Sequence, residues 1–173
     1  MKTLIVYATK HGTAEECAKM LAQRLEGEVE LVNIKNSVPP SIDGYEKIIL
    51  GASIYAGNAQ PEIKEFCRSN LEKLKEKPVG LFLSCMFDEE SQIRTALENA
   101  FTPELVSHAA AACAFGGAFK MDRLNFFEKL IVKMVAKEYQ KEGKLSGGYD
   151  GKTDISTVSD SKISEFAKII NAA

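Results

Sequence analysis

A turn rich in hydroxyl and basic residues follows the first apolar run of the chain and has the composition of an anion-binding loop. A helical pattern starts within this turn, and the unpaired N–H groups at a helix start attract phosphate. Threonine hydroxyls add donors, and Gly12 allows the backbone to approach an anion closely. A polar helix start without a ligand is the alternative. The candidate residues are Thr9, Lys10, His11, Gly12, Thr13 and Ala14.

Two later turns, each after another apolar run, offer surfaces for a planar ligand. An aromatic ring could stack on Tyr55 while its polar atoms meet exposed peptide groups, and an ordinary surface tyrosine is the alternative. Cys85 follows the second of these runs, but the nearby Asp88 does not favour a reactive thiolate. We therefore assign no catalytic residue. The candidate residues are Ser53, Ile54, Tyr55, Ala56 and Gly57 in one turn, and Ser84, Cys85, Met86 and Phe87 in the other.

The pattern of apolar residues places these turns at the ends of predicted strands. Four runs, at 3–8, 47–52, 79–84 and 109–117, are apolar on both faces like buried parallel strands, and 28–34 resembles an edge strand. Helical spacing marks the segments between them, including one helix from Pro61 to Leu74. This alternation predicts an α/β fold with a doubly wound, five-stranded parallel sheet. Ligands bind such sheets beyond the carboxyl ends of the strands, where the candidate turns lie.

Length and composition indicate a single domain over residues 1–173. The 22 Lys and Arg residues against 24 Asp and Glu residues give a net charge of −2, which does not favour nucleic acid as a partner. The chain has four cysteines without a CxxC motif and two histidines, a set that does not favour a structural zinc site. We therefore expect free thiols, as in a cytoplasmic protein. The absence of GxxxxGK[ST] and GxGxxG motifs argues against nucleoside triphosphatases and dinucleotide-binding Rossmann domains.

Taken together, the three turns resemble those of the flavodoxin family, whose first loop follows a pattern like T-x-T-G-x-T. Thr9, Gly12 and Thr13 match this pattern, whereas His11 and Ala14 stand where hydroxyl residues are usual. The resemblance implies the strand order 2-1-3-4-5 and the cofactor FMN. A response-regulator receiver would share the topology, but the acidic residues that it needs at its strand ends are missing.

Within that family the chain is most similar to the menaquinone-dependent protoporphyrinogen IX oxidases. The similar blocks include Gly51–Ile54 with Gly57, Gly117–Ala118 and a segment at 126–134. The branch carries an inserted loop and helix before its last helix, which corresponds to about 120–150 here. In the oxidases the third loop is rich in Lys and Arg, whereas this chain has acidic residues at 88–90. Lys120 and Arg123 are therefore left as candidates for recognising an acidic tetrapyrrole.

The resemblance assigns roles to the candidate residues. The residues from Thr9 to Ala14 would bind the FMN phosphate, and Ser53 to Gly57 would flank the flavin ring on one side. Ser84 to Phe87 would line the other side, and a redox partner or quinone would exchange electrons with the flavin. The alternatives are an electron-transfer flavodoxin without a small-molecule substrate and a flavin-free interaction domain. The fourth ring-lining segment consists of Gly116, Gly117, Ala118 and Phe119.

The inserted segment is basic and amphipathic. Between residues 120 and 144, seven Lys and Arg residues against four Asp and Glu residues give a net charge of +3. We expect its helix to pack an apolar stripe on the sheet with its lysines in water, because most amphipathic helices cover their own core. The alternative is peripheral contact of 126–141 with the inner face of a membrane. The stripe consists of Phe127, Leu130, Ile131, Met134 and Val135, beside Lys129, Lys133, Lys137 and Lys141.

Overall fold

The sheet has the predicted architecture. The computed structural model describes residues 1–55, 57–143 and 152–173. Its five main strands pair in parallel in the order β2-β1-β3-β4-β5, as the sequence predicted. They are β1 (Lys2–Ala8), β2 (Glu28–Asn33), β3 (Lys47–Ser53), β4 (Val79–Ser84) and β5 (Ala111–Ala114).

The helices cover both faces of the sheet, with two differences from the sequence prediction. The helix expected from Pro61 to Leu74 is divided at Asn70, whose side-chain nitrogen donates to the Phe66 carbonyl at 2.9 Å and so closes its first half. A short helix after Thr102 was also missed. The helices are α1 (Thr13–Ala22), α2 (Pro61–Ser69), α3 (Leu71–Lys75), α4 (Glu90–Phe101), α5 (Pro103–His108), α6 (Phe126–Lys141) and α7 (Asp160–Ala172).

The strand predicted at 109–117 is shorter than expected. Its pairing with β4 stops at Ala114, and a second, antiparallel sheet begins four residues later. This small sheet pairs β6 (Ala118–Phe119) with β7 (Ile155–Ser156), and the sequence analysis did not predict it. It connects the inserted segment to the residues that precede α7.

Alternate residues of each central strand enter two separate cores. Leu4 and Val6 pack with residues from α2, α3, α4 and α5, whereas Ile5 and Tyr7 pack with α1 and α7. This alternation explains why the strands are apolar on both faces, since each face buries side chains against helices.

An aromatic stack fixes the second core near the middle of the sheet. The rings of Phe82 and Phe115 lie with their centroids 4.9 Å apart, and Phe166 meets Phe115 edge-on at 5.1 Å. Phe82 lies directly over Gly51 of the neighbouring strand, where any Cβ would overlap its ring. The sequence therefore needs glycine at position 51 for packing rather than for backbone freedom.

The inserted helix α6 lies outside both main cores, and our expectation that its apolar stripe packs on the sheet is wrong. Phe127 and Met134 are 74% and 65% exposed, and the intervening Leu130 and Ile131 are each 55% exposed. The buried side of α6 instead consists of Glu128, Val132 and Ala136. Val132 and Ala136 join a small third cluster with Met121, Leu124 and Ile155. Within the described residues no helix is long and apolar enough to cross a membrane.

The close approach of Phe82 to position 51 gives a stability prediction. We expect Gly51→Ala to lower the free energy of unfolding by about 1–3 kcal/mol, because the stacked ring has no room to move aside. Gly44→Ala is the control, since a Cβ there meets no atom within 4 Å. Urea denaturation measures both variants. Equal stability of Gly51→Ala and Gly44→Ala would contradict this account of the core.

Candidate functional site

The carboxyl ends of β1, β3 and β4 meet at one edge of the sheet and enclose a cavity of about 60 Å³. Every described residue that lines the cavity is a candidate named from the sequence, and the structure brings the candidate turns together at this edge. The lining residues are Thr9, Lys10, His11, Thr13, Ser53, Ile54, Tyr55, Ser84, Cys85, Met86, Gly117, Ala118 and Phe119.

The start of α1 forms one end of the site and suits an anion. Gly12 has a φ of 90° and directly precedes α1. Because glycine has no side chain, no side-chain hydrogen bond caps the start of the helix. Thr9 stabilises the turn because its hydroxyl oxygen accepts a hydrogen bond from the Gly12 N–H at 3.0 Å. Arg123 lies against the turn and donates to the His11 carbonyl at 2.9 Å. The uncapped helix start provides N–H donors, and the adjacent Lys10 and Arg123 side chains provide the positive charge that a phosphate group requires.

Glu128 of α6 contacts two of the turns that border the cavity, although it does not line the cavity itself. Its carboxylate atom Oε1 accepts hydrogen bonds from Lys10 Nζ at 2.7 Å and from Tyr55 Oη at 2.5 Å. His11 Nε2 lies 3.4 Å from the same oxygen but is not aligned for a hydrogen bond. The Lys10 ammonium also lies 3.7 Å from the centroid of the Tyr55 ring. One carboxylate thus joins the turn after β1 to the turn after β3.

The local sequence of α6 fixes the Glu128 carboxylate in this position. Asn125 caps the helix by accepting a hydrogen bond from the Glu128 N–H at 2.9 Å, and the Asn125 N–H donates to Glu128 Oε2 at 2.9 Å. This is a capping box, in which each residue satisfies a backbone donor of the other. Oε2 is therefore held by its own helix, while Oε1 faces Lys10, Tyr55 and His11.

These contacts shift the pKa values of all three hydrogen-bonded groups. The hydrogen bond from Lys10, followed by that from Tyr55, lowers the pKa of Glu128 to about 2. The hydrogen bond with the same carboxylate is the largest cause that raises the pKa of Lys10, and it is also the largest cause that raises the pKa of Tyr55. Glu128 is therefore ionised, and Lys10 and Tyr55 are protonated, near neutral pH.

Some predicted site residues lie beside the cavity rather than on it. Gly57 and Phe87 line a neighbouring groove of about 370 Å³ along α4, together with polar residues such as Gln92 and Asn99. Ala14 is buried beneath the turn that it follows. Gly116 accepts a hydrogen bond from the Cys85 N–H at 3.1 Å and holds that loop in place. Ala56 lies outside the described residues, and the cofactor roles of all these residues remain predictions.

The cysteine at the cavity is a packing residue. Cys85 is 4% exposed, and burial raises the pKa of its thiol, so that the thiolate is disfavoured. The expectation that it is not a reactive nucleophile agrees with this environment. Lys120 and Arg123, the candidates for tetrapyrrole recognition, contact Glu16 and the His11 carbonyl respectively.

Glu128 is the site residue that sequence reasoning missed. The sequence Asn125-x-x-Glu128 carries the signal of a capping box, which could have placed the start of α6. That signal indicates a helix terminus and does not show that the carboxylate reaches Lys10, 118 residues earlier in the chain.

Comparison with known proteins agrees with the topology. A family model described as a flavodoxin domain matches residues 4–146. The chain belongs to the flavodoxin family. Flavodoxin 2 from Bacillus cereus, a solved structure, has a TM-score of 0.60 and 20% sequence identity, with 99% of each chain covered.

Two curated flavodoxin relatives have the same name. The Escherichia coli K12 protein called protoporphyrinogen IX dehydrogenase [quinone] is 23% identical, over 98% of this chain and 94% of its own length. A Leishmania major protein of that name is 24% identical, over 79% of this chain and 62% of its own. Both names describe an oxidoreductase, as the resemblance seen in the sequence implied.

The lowered pKa of Glu128 predicts a pH-dependent contribution to stability. Its ionised form stabilises the fold fully above its unfolded pKa of 4.5, and this contribution is lost as the pH falls towards the folded value of about 2. We therefore expect the melting temperature of the wild type to exceed that of Glu128→Gln above pH 4.5, with a difference that shrinks on acidification. Circular dichroism melts across this range measure it.

Glu138→Gln is the matched control for this titration. Glu138 lies on the exposed side of the same helix and pairs with Lys141 at 3.0 Å, a surface pair that contributes little to stability. A difference between wild type and Glu128→Gln that is constant or grows as the pH falls would contradict the assignment.

Proposed function

We propose that this flavodoxin is an FMN-dependent oxidoreductase that oxidises protoporphyrinogen IX with a quinone. The observation that carries the proposal is the convergence of three strand-end turns on one cavity beside an uncapped helix start. The names of the curated relatives support the type of reaction, and their similarity extends over nearly the whole chain for the Escherichia coli protein.

The residues present fit FMN. Thr9 to Ala14 would hold the phosphate through the N–H groups at the start of α1, with Lys10 and Arg123 supplying positive charge. The turn from Ser53 to Gly57 would lie on one side of the ring. The turn from Ser84 to Phe87 and the segment from Gly116 to Phe119 would lie on the other. Bound FMN supplies the electron-transfer chemistry.

The described side chains contribute binding, orientation and electrostatics to this chemistry. Burial raises the pKa of Cys85, and the hydrogen bond to Glu128 raises that of Tyr55. Both groups therefore keep their protons near neutral pH, and neither suits the role of general base. Met86 and Phe119 line the cavity, where they would shield the position assigned to the ring from water.

The acidic third loop favours a second candidate, electron transfer between proteins without a small-molecule substrate. Residues 88–90 read Asp-Glu-Glu, which would repel the propionate groups of a tetrapyrrole. The two cations that could offset this charge have other contacts, Lys120 with Glu16 and Arg123 with the His11 carbonyl. Turnover assays separate the two candidates.

We further propose that α6 contacts an anionic membrane surface, which would bring a cytoplasmic enzyme to a quinone in the bilayer. Five large apolar side chains of α6 are more than half exposed, and a row of lysines flanks them. Apolar side chains enter the boundary between headgroups and acyl chains, while lysines pair with anionic lipid. The apolar residues are Phe126, Phe127, Leu130, Ile131 and Met134.

Reconstitution with FMN tests the cofactor. The wild type should take up an equimolar amount of FMN and then oxidise protoporphyrinogen IX with a menaquinone analogue. Gly12→Val should weaken FMN binding roughly tenfold, because the φ of 90° disfavours a side chain and a Cβ there would overlap the Arg123 guanidinium. Gly44→Ala should bind FMN like the wild type.

The outcomes of this experiment distinguish the candidates. Failure of the wild type to bind FMN would overturn the proposed cofactor. Stoichiometric binding without turnover of protoporphyrinogen would favour electron transfer between proteins.

Cosedimentation with lipid vesicles tests the membrane surface. The wild type should pellet with phosphatidylglycerol vesicles and much less with phosphatidylcholine vesicles, and Phe127→Glu/Ile131→Glu should lose this binding. Val38→Glu/Ile169→Glu is the matched control, because it places two charges on exposed apolar positions outside α6. Equal pelleting of the two double variants would refute the proposal.

A further inference from the structure

Glu128 occupies the positively charged corner of the site that we assign to the FMN phosphate. Its carboxylate contacts Lys10 and lies beside His11, both of which belong to the turn at the start of α1. The Glu128 side chain is only 6% exposed, so this pairing is shielded from solvent. Two anions, the carboxylate and the phosphate, would therefore compete for Lys10 and the side chain beside it. This inference rests on the proposed function.

The inserted helix has few other contacts that hold its first turns against the domain. Phe126 and Phe127 are 78% and 74% exposed, and Glu128 is the buried residue of that first turn. Val132 and Ala136 follow on the same side and pack in the small third cluster. At the far end, the Tyr139 hydroxyl donates to the Met86 carbonyl at 2.6 Å. Among the described contacts, the first turn of α6 is thus held by the Glu128 carboxylate, and its later turns by the third cluster and by Tyr139.

Glu128 connects α6 to both the Lys10 turn and the Tyr55 turn, which border the cavity. The Lys10 turn is the part of the site that we assign to the phosphate. Competition for Lys10 therefore depends on the phosphate rather than on the flavin ring.

We propose that Glu128 is a built-in competitor of the FMN phosphate, and that cofactor binding transfers Lys10 and His11 from Glu128 to the phosphate and releases the start of α6. The phosphate carries up to two negative charges, so it attracts these side chains and repels the carboxylate. Coupling between two sites is reciprocal. Docking of α6 therefore weakens FMN binding by the same factor by which FMN weakens docking.

Riboflavin provides the discriminating probe because it has the same ring system without the phosphate. Glu128→Gln should lower the Kd for FMN by about fivefold or more, the lower end of ordinary coupling between sites, and leave the Kd for riboflavin unchanged. Glu138→Gln removes the same charge from the exposed side of α6 and should change neither Kd. Flavin fluorescence titrations measure all of these constants.

Hydrogen exchange on the unmodified protein gives an independent readout that does not depend on how well the variant folds. FMN should speed amide exchange in residues 126–132, whereas riboflavin at equal saturation should not. Slower exchange with FMN, or the same exchange with both ligands, overturns the inference.

These measurements distinguish a failure of the proposed FMN cofactor from a failure of the proposed role of Glu128. If neither flavin binds the wild type, the proposed cofactor and this inference both fail. If both bind and Glu128→Gln shifts both constants equally or weakens FMN, Glu128 has a structural role and only this inference fails.

Discussion

The parallel pairing of β1, β3 and β4 is the constraint on which the site depends. It places Ala8 opposite Ala52 and Ser53 opposite Ser84, so that three turns distant in sequence leave the sheet at the same edge. The alternation of buried side chains fixes this register, because a shift by one residue would exchange the residues of the two cores. The loops are therefore free to carry polar and aromatic groups, while the strands and helices supply stability.

The Glu128 carboxylate adds a second constraint at that edge. A buried carboxylate is costly unless it is paired, and here Lys10 and Tyr55 share one of its oxygens while Asn125 binds the other. The inserted helix is thereby tied to the site, and its exposed apolar residues, from Phe126 to Met134, face away from the domain. The helix thus has a charged attachment to the turns that border the cavity, and an exposed apolar side that we propose as a membrane surface.

Much of the fold could be predicted because its strands are apolar on both faces and its helices are amphipathic. The same patterns placed the cavity residues of the first three turns, whereas Gly117, Ala118 and Phe119 were named from the resemblance to flavodoxins. The patterns failed for α6, because an apolar stripe looks the same in sequence whether it faces the core or the outside of the domain. Which side of α6 is buried depends on the tertiary contacts of Val132 and Ala136. They also failed for Glu128, since its pairing with Lys10 joins residues 118 positions apart. The break at Asn70 was missed because it depends on one side-chain cap.

The ³¹P resonance of protein-bound FMN tests most directly whether the start of α1 holds the cofactor phosphate. A free phosphate monoester changes its charge with a pKa near 6. Helix N–H groups and neighbouring cations favour the dianion, so the account predicts that the ³¹P shift of the complex stays constant between about pH 5 and 8. A bound-state resonance that titrates near pH 6, like that of free FMN, would show that the phosphate lies in solvent and would contradict the account.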